Sequence, residues 1–309
     1  MRIFQFWKKN KKTVVAINLD TAIPAAIIKV GGLVDQPEQF TAEAKNSAAM
    51  LGEEALPLFP RYFFGTELQK PESLAGKYEG LGDWLHIQQD AIFEIIYNYR
   101  EKAIPMLYEV AFGVYDWTQY KAVRILTRLA REGLQTDQIV DDIISHVDDF
   151  RYEAQMPTFY FLSGLTGNKK VAALLQRHFL ENLEYDPIDA FDIFENLHRC
   201  SPDVAMRHAD FLKAIARGEG LEGRSPLLDG AIGTTDENGK QEYHWPDDEP
   251  VEEHHQLRAA IFYYQLNSQD EEVNRLLDQW EVSHPEENVR SYIGKLRGEG
   301  QGEILHSFL

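Results

Sequence analysis

Leu51-Gly-Glu-Glu-Ala-Leu-Pro-Leu-Phe59 and Arg100-Glu-Lys-Ala-Ile-Pro-Met-Leu107 follow one plan: charged residues, then alanine, an aliphatic residue, proline and two further apolar residues. Proline has no N–H and its ring crowds the preceding turn, so it disrupts a helix interior or a central strand. In the first turn of a helix the N–H groups have no intrahelical acceptor, and a proline there costs little. Both stretches therefore predict a helix whose opening turn carries the proline.

Working outward, the apolar residues from about residue 40 onward recur at helical spacing. Behind Asp83, read as an N-cap, Leu85, Ile92, Ile95, Ile96 and Tyr99 share one face. Ala122, Ile125, Leu126, Leu129 and Ala130 form a second stripe that stops at Gly133, a C-cap position. Ile139, Val140, Ile143, Ile144, Val147 and Phe150 form a third, and Val171, Leu174, Leu175 and Phe179 a fourth, behind Asn168. Asp186-Pro187 and Ser201-Pro202 each place a capping side chain before a proline, so a helix starts at each; the second carries Val204, Phe211, Leu212 and Ile215 and ends at Gly218. Leu257, Ala260, Ile261 and Tyr264 predict another helix, and Val273, Leu276, Leu277 and Trp280 the next. Residues 13–34 are less decided: Thr13 to Leu19 is β-branched and Ala25 to Val34 is a short apolar run, and periodicity does not separate strand from helix over such lengths.

Helix pairs starting near residues 84, 116, 153 and 187 repeat at a spacing typical of helical repeats. With that period, the two proline-bearing stretches resemble the second-helix motif of HEAT-like repeats, over about residues 40–220. The resemblance implies an all-α fold of stacked antiparallel helix pairs, an α-solenoid; the short N-terminal segment before it is read as either strand or helix. The expected organisation is an N-terminal segment 1–39, helical repeats 40–218, an acidic loop insertion 219–250 and C-terminal helices 251–309. The resemblance implies a binding surface and no chemistry.

Of 309 residues, 50 are acidic and 31 basic, a net charge of −19, while 44% hydrophobic content supplies a core. Free nucleic acid is not the expected partner, since phosphate contacts need Lys and Arg. An acidic surface steers basic proteins instead. Residues 1–12 hold Arg2, Lys8, Lys9, Lys11 and Lys12 and no acid, so the rest of the chain is five charges more negative still. Their apolar residues precede the charges, the reverse of a signal peptide, and the run is too short to span a bilayer, so no stable membrane insertion is expected. Cys200 is the one cysteine, and a cytoplasmic location follows as the expectation.

The chemical motifs point to packing. Arg217-Gly-Glu-Gly-Leu-Glu-Gly223 has dinucleotide-loop spacing but follows a helix, where the loop must follow a strand and open a helix; it reads as a helix end. Gly164-Leu-Thr-Gly-Asn-Lys-Lys170 lacks a phosphate loop's spacing and its Ser/Thr, and reads as a turn. His254 and His255, with His244 upstream, point about 100° apart on a helix and do not share an ion, so neither metal nor cofactor is expected. His178 and His208 lie in apolar stripes as hydrogen-bonded packing residues, and Cys200 reads as a buried thiol.

Two acidic features remain. Over Thr136–Phe150, Asp137, Asp141 and Asp148 align beside the apolar arc, with Asp142 and Asp149 on another flank. Between Asp236 and Glu253 there are eight acids and one lysine, including Asp247, Asp248 and Glu249, interrupted by Tyr243 and Trp245, residue types that often anchor interfaces. Together they make this a non-catalytic module binding a basic protein, a profile that resembles interbacterial immunity proteins. The alternative is an enzyme or metal-dependent modifying protein on the same scaffold.

Overall fold

The computed structural model describes residues 17–64, 68–80, 82–113, 117–219, 232–235, 241–244, 251–284 and 287–299. Among these the regular structure is helical apart from one two-stranded ribbon. The chain divides into two compact units, residues 1–161 and 162–309.

The first unit opens with α1 (Leu19–Gly31) and α2 (Pro37–Leu51). The region left between strand and helix by its composition is thus a helix over Leu19–Gly31, not a strand; residues 13–16 lie outside the described residues. Asn18 caps α1, its side chain accepting from Asp20 N–H at 3.1 Å, and Ile23, Ala26, Ile27 and Val30 are buried at helical spacing. Tertiary burial of that face settles what a short apolar run left open. Gly31 is needed where it stands, because a Cβ there would lie 3.0 Å from the Trp84 ring.

Glu53–Tyr62 forms a 3₁₀ helix, not the α-helix expected from its proline motif. Pro57 and Pro60 both lie inside it, so two N–H donors are missing within one turn and an α ladder cannot be completed. The sister motif behaves as expected: after a short 3₁₀ turn, Arg100–Ala103, α4 (Ile104–Ala111) carries Pro105 in its first turn. Between them runs α3 (Asp83–Tyr97). Asp83 is not its cap; Gly82, at φ +88°, holds that position, and the Asp83 carboxylate accepts from Gly80 N–H at 2.9 Å. The helix packs against α1 and α2, and Phe93 stacks on Phe63 at 5.2 Å between ring centroids.

α5 (Gln119–Arg131) buries all five residues of its predicted stripe, as well as Lys121, Val123 and Thr127. It ends as its sequence indicated, with Gly133 at φ +89° and Leu134 N–H closing on Leu129 O at 3.1 Å. α6 (Thr136–His146) stops short of Phe150, and a 3₁₀ turn carries Val147–Asp149. α3 and α4 both pack on α5, which packs in turn on α6. α7 (Tyr152–Ser163) then spans the limit between the units.

The second unit holds α8 (Lys169–Leu183), capped by Asn168, and α9 (Pro187–Cys200), capped by Asp186 with Pro187 in its first turn. The segment from Pro202 to Gly218 is not one helix: α10 (Pro202–Ala205) tightens into a 3₁₀ turn at Met206–His208 before α11 (Asp210–Ala216). Residues 219–250, expected as a loop, contain β1 (Ile232–Thr235) paired antiparallel with β2 (Gln241–His244), Gly233 opposite Tyr243. Then come α12 (Val251–Leu266), α13 (Glu271–Ser283) and α14 (Glu287–Glu299).

The core of this unit is aromatic. Phe211 lies 4.9 Å from both Phe179 and Phe194, and Phe262 lies 5.9 Å from Phe194 and 6.0 Å from Phe191, mostly edge to face. Four helices, α8, α9, α11 and α12, therefore meet on one ring cluster. Phe194→Ala should cost about 3–5 kcal/mol in urea unfolding through the lost burial and the cavity left behind, whereas Leu180→Ala, at a side chain 45% exposed, should stay within about 0.5 kcal/mol.

Candidate functional site

Asp137 and Asp141 lie exposed on α6 and Asp148 exposed on the 3₁₀ turn that follows, while Ile139, Val140, Ile143 and Val147 are buried beneath them. Asp149 is exposed and Asp142 half-buried. With Asp142, on another flank of α6, lies an aromatic group that its sequence spacing did not announce. The Phe112 ring stacks on His146 at 4.3 Å and 20°, lies 6.4 Å from Phe150, and stacks on Tyr108 at 5.4 Å. All four are half-buried. Burial first, and the Asp142 carboxylate second, hold the Tyr108 hydroxyl protonated well above its ordinary value. The helix thus presents exposed carboxylates on one flank and, with Asp142, a partly exposed aromatic patch on another, a composition that attracts cations and offers rings to anchor them.

The second acidic feature falls largely on residues that the structure does not describe. Tyr243 belongs to β2, and Trp245, Asp247, Asp248 and Glu249 lie outside the described residues.

A different cleft opens between α2, α3 and α5, with a volume of about 350 Å³. Val34, Pro37, Phe40, Thr41 and Ile125 line one part of it, and Asp90, Glu94, Arg124 and Arg128 the other. Glu94 is 7% exposed, and a carboxylate so enclosed needs a cation and hydrogen bonds. Arg128 supplies both, with Nη1 donating to Oε1 at 2.9 Å and Oε2 at 2.8 Å. Its guanidinium also lies 3.5 Å from the Tyr97 ring centroid. One turn earlier, Asp90 Oδ1 accepts from Lys121 Nζ at 2.8 Å and from Arg124 Nη2 at 2.9 Å. The Lys121 side chain is 3% exposed and that of Arg124 35%. At the end of the seam Glu132 takes hydrogen bonds from Tyr97 and Arg100; burial pushes its carboxyl up, but these bonds outweigh it and hold it below the ordinary carboxylate value.

These cations were legible and were passed over. Lys121, Arg124, Arg128 and Arg131 recur at three- and four-residue steps on α5 with no acid among them, which marks a basic helix flank on an acidic chain.

In the second unit, Arg258 joins Asp192 at 2.8 Å and Glu195 at 2.5 Å across the Phe191 ring, and burial raises the Glu195 carboxyl despite that partner. Lys213 reaches Asp270 at 2.8 Å and Glu272 at 3.1 Å, tying α11 to α13, while Asp270 also caps α13. Gly218, at φ +82°, closes α11, so Arg217–Glu219 is a helix end; Gly220 to Gly223 lie outside the described residues. Gly164–Lys170 turns from α7 into α8, with Asn168 Oδ1 accepting from Lys170 and Val171 N–H. Among the described residues no three His, Cys, Asp or Glu side chains converge on a point that would hold a metal, and no helix is long and apolar enough to cross a membrane. His178 is buried beside Glu181, and His208 bonds Gln176 at 2.8 Å against the Phe179 ring. Cys200 is fully buried, its Sγ 3.6 Å from Leu165 O, and burial pushes the thiol up to about 11. No family model, curated protein or solved structure matches the chain.

Two outcomes follow from these contacts. The folded chain binds the Cys200 proton more tightly than an unfolded thiol of ordinary value 9.0, so its contribution to stability is complete below that value and is lost as pH rises through about 11. Native-state alkylation should accordingly stay slow at pH 8 and rise only near that upper value, as read by iodoacetamide rates. A double-mutant cycle of Glu94→Gln and Arg128→Met, followed by urea unfolding, should return a coupling near 1 kcal/mol, within the roughly 0.5–3 kcal/mol of residues sharing a hydrogen-bonded ion pair.

Proposed function

We propose that this chain is a HEAT-like helical repeat protein of stacked antiparallel helix pairs that acts without catalysis, binding a basic protein as an immunity-type partner does. The observation that carries the reading is the surface of α6: Asp137, Asp141 and Asp148 stand exposed along one flank, and Asp142, on another flank, lies with the half-buried Tyr108, Phe112, His146 and Phe150. Carboxylates at the rim raise the rate of encounter with a cationic surface, and aromatic rings, once covered, slow its release. The repeat reading draws support from the helix starts at Asp83, Gln119, Tyr152 and Pro187, close to the period expected of such repeats. The cytoplasm, where a basic toxin or regulatory protein would be met, is the proposed place of action.

Capture from lysate of the source cells on immobilised protein, with Asp137→Lys/Asp141→Lys/Asp148→Lys as the paired bait, tests this. The partner retained by the wild type should be basic, its association should fall steeply with salt, and the variant should weaken it about tenfold or more. Circular dichroism should be unchanged, since all three sites are exposed. Retention of the same partners by both baits, indifferent to salt, would refute the reading.

A further inference from the structure

We propose that the cleft between α2, α3 and α5 is a binding site for a small amphipathic oxyanion, an organic carboxylate or phosphate ester with a short apolar body. The charge balance of the seam points to it. Glu94 is matched by Arg128, and Asp90 would be matched by Lys121 alone, whose buried ammonium lies 2.8 Å from it. Arg124 shares the same Asp90 oxygen at 2.9 Å and makes no other side-chain hydrogen bond or ion pair among the described residues. The cleft wall itself holds Arg124 and Arg128 against Asp90 and Glu94, and Lys121, buried behind Asp90, leaves the seam one positive charge in excess on a chain whose net charge is −19.

A guanidinium offers five N–H donors in a planar fork, and this one spends one of them. Half-exposed at the cleft, it has donors left for the two oxygens of a carboxylate or phosphate, the geometry that arginine recognises best. Arg128, held by Glu94 and the Tyr97 ring, stands one turn away as a fixed second cation. The ligand needs more than charge, because Val34, Pro37, Phe40 and Ile125 make the neighbouring wall apolar. A volume of about 350 Å³ lies at the lower end of small-molecule sites, which run from roughly 300 to 1,000 Å³. An anionic head on Arg124 and Arg128 and a ring or short hydrocarbon on Phe40 satisfy both walls at once.

Phenylacetate, phenyl phosphate and the neutral 2-phenylethanol, titrated into the full chain and followed by heteronuclear NMR, test the proposal. At least one of the two anions should bind saturably and shift the α2, α3 and α5 amides, with the alcohol about tenfold weaker or more, the size expected of a hydrogen bond to a charged group. Arg124→Met should weaken the anion by a similar factor without unfolding the chain, since Lys121 keeps Asp90 matched. Phe40→Ser should weaken binding of the phenyl compounds and leave inorganic phosphate unchanged. Saturation by phenyl phosphate alone assigns a phosphate ester, and saturation by phenylacetate a carboxylate. The Asp137/Asp141/Asp148 lysine variant should bind the anions as the wild type does, which separates this site from the α6 edge. Failure of both anions to saturate, or equal affinity for anion and alcohol, or equal affinity of wild type and Arg124→Met, would overturn the proposal.

Discussion

A carboxylate that is nine-tenths buried cannot be left alone, and much of the first unit follows from how Glu94 is met. It sits on α3, whose neighbours Phe93, Ile95 and Ile96 are fully enclosed, and reaches little solvent along the wall of the cleft. Arg128 answers with two hydrogen bonds from one nitrogen, and this sets the rotation of α5 against α3. With that rotation given, Arg124 and Lys121, one and two turns earlier, fall beside Asp90. The opposite side of α5 then turns Ala122, Leu126 and Leu129 toward the core, where α4 and α6 cover it. Ion pairs of this kind contribute little net stability against a well-packed apolar alternative; here they join α3 to α5 at successive turns, Asp90 to Lys121 and Arg124 and Glu94 to Arg128.

The orientation of the α6 edge is a consequence of the same arrangement. Because Ile139, Val140, Ile143 and Val147 are drawn inward, the aspartates between them are left in solvent. The aromatic patch at its end is built from two elements, Phe112 following α4 and His146 and Phe150 at the end of α6. One flank of α6 is thus negative, while the cleft at α2, α3 and α5 sets Arg124 and Arg128 beside an apolar wall, backed by the buried Lys121. Each carries its own proposed ligand, and the two differ in sign.

The second unit solves the packing problem by other means. Its helices converge on phenylalanines whose edge-to-face contacts need no charge, and its ion pairs lie around that cluster. Asp270 serves twice, as the cap of α13 and as the acceptor for Lys213, so one carboxylate both starts a helix and ties it to α11. The Lys213 bond, more than the cap, holds that carboxyl below its ordinary value. Arg258, by contrast, is enclosed with Glu195 over Phe191, a charged pair set directly against the ring cluster.

The sequence by itself determined where the helices run and how several of them begin and end, because those features depend on neighbours a few residues apart. Asn168 and Asp186 accept the orphan N–H groups of their own helices, Gly133 takes the left-handed turn that ends α5, and the stripe from Ala122 to Ala130 is buried residue for residue. The acids of α6 were legible for the same reason, and so was the buried thiol. Other features depended on partners far along the chain. Thr13–Val34 offered too few residues for a period, and the packing of α1 on α2 and α3 made its described part a helix. Two prolines three residues apart turned Glu53–Tyr62 into a 3₁₀ helix where one proline alone would have started an α-helix. The cleft required Asp90 and Glu94 to meet cations 31 and 34 residues away. Local spacing showed a basic flank on α5; only the docking of α5 on α3 decided which charges neutralise one another and which one is left over.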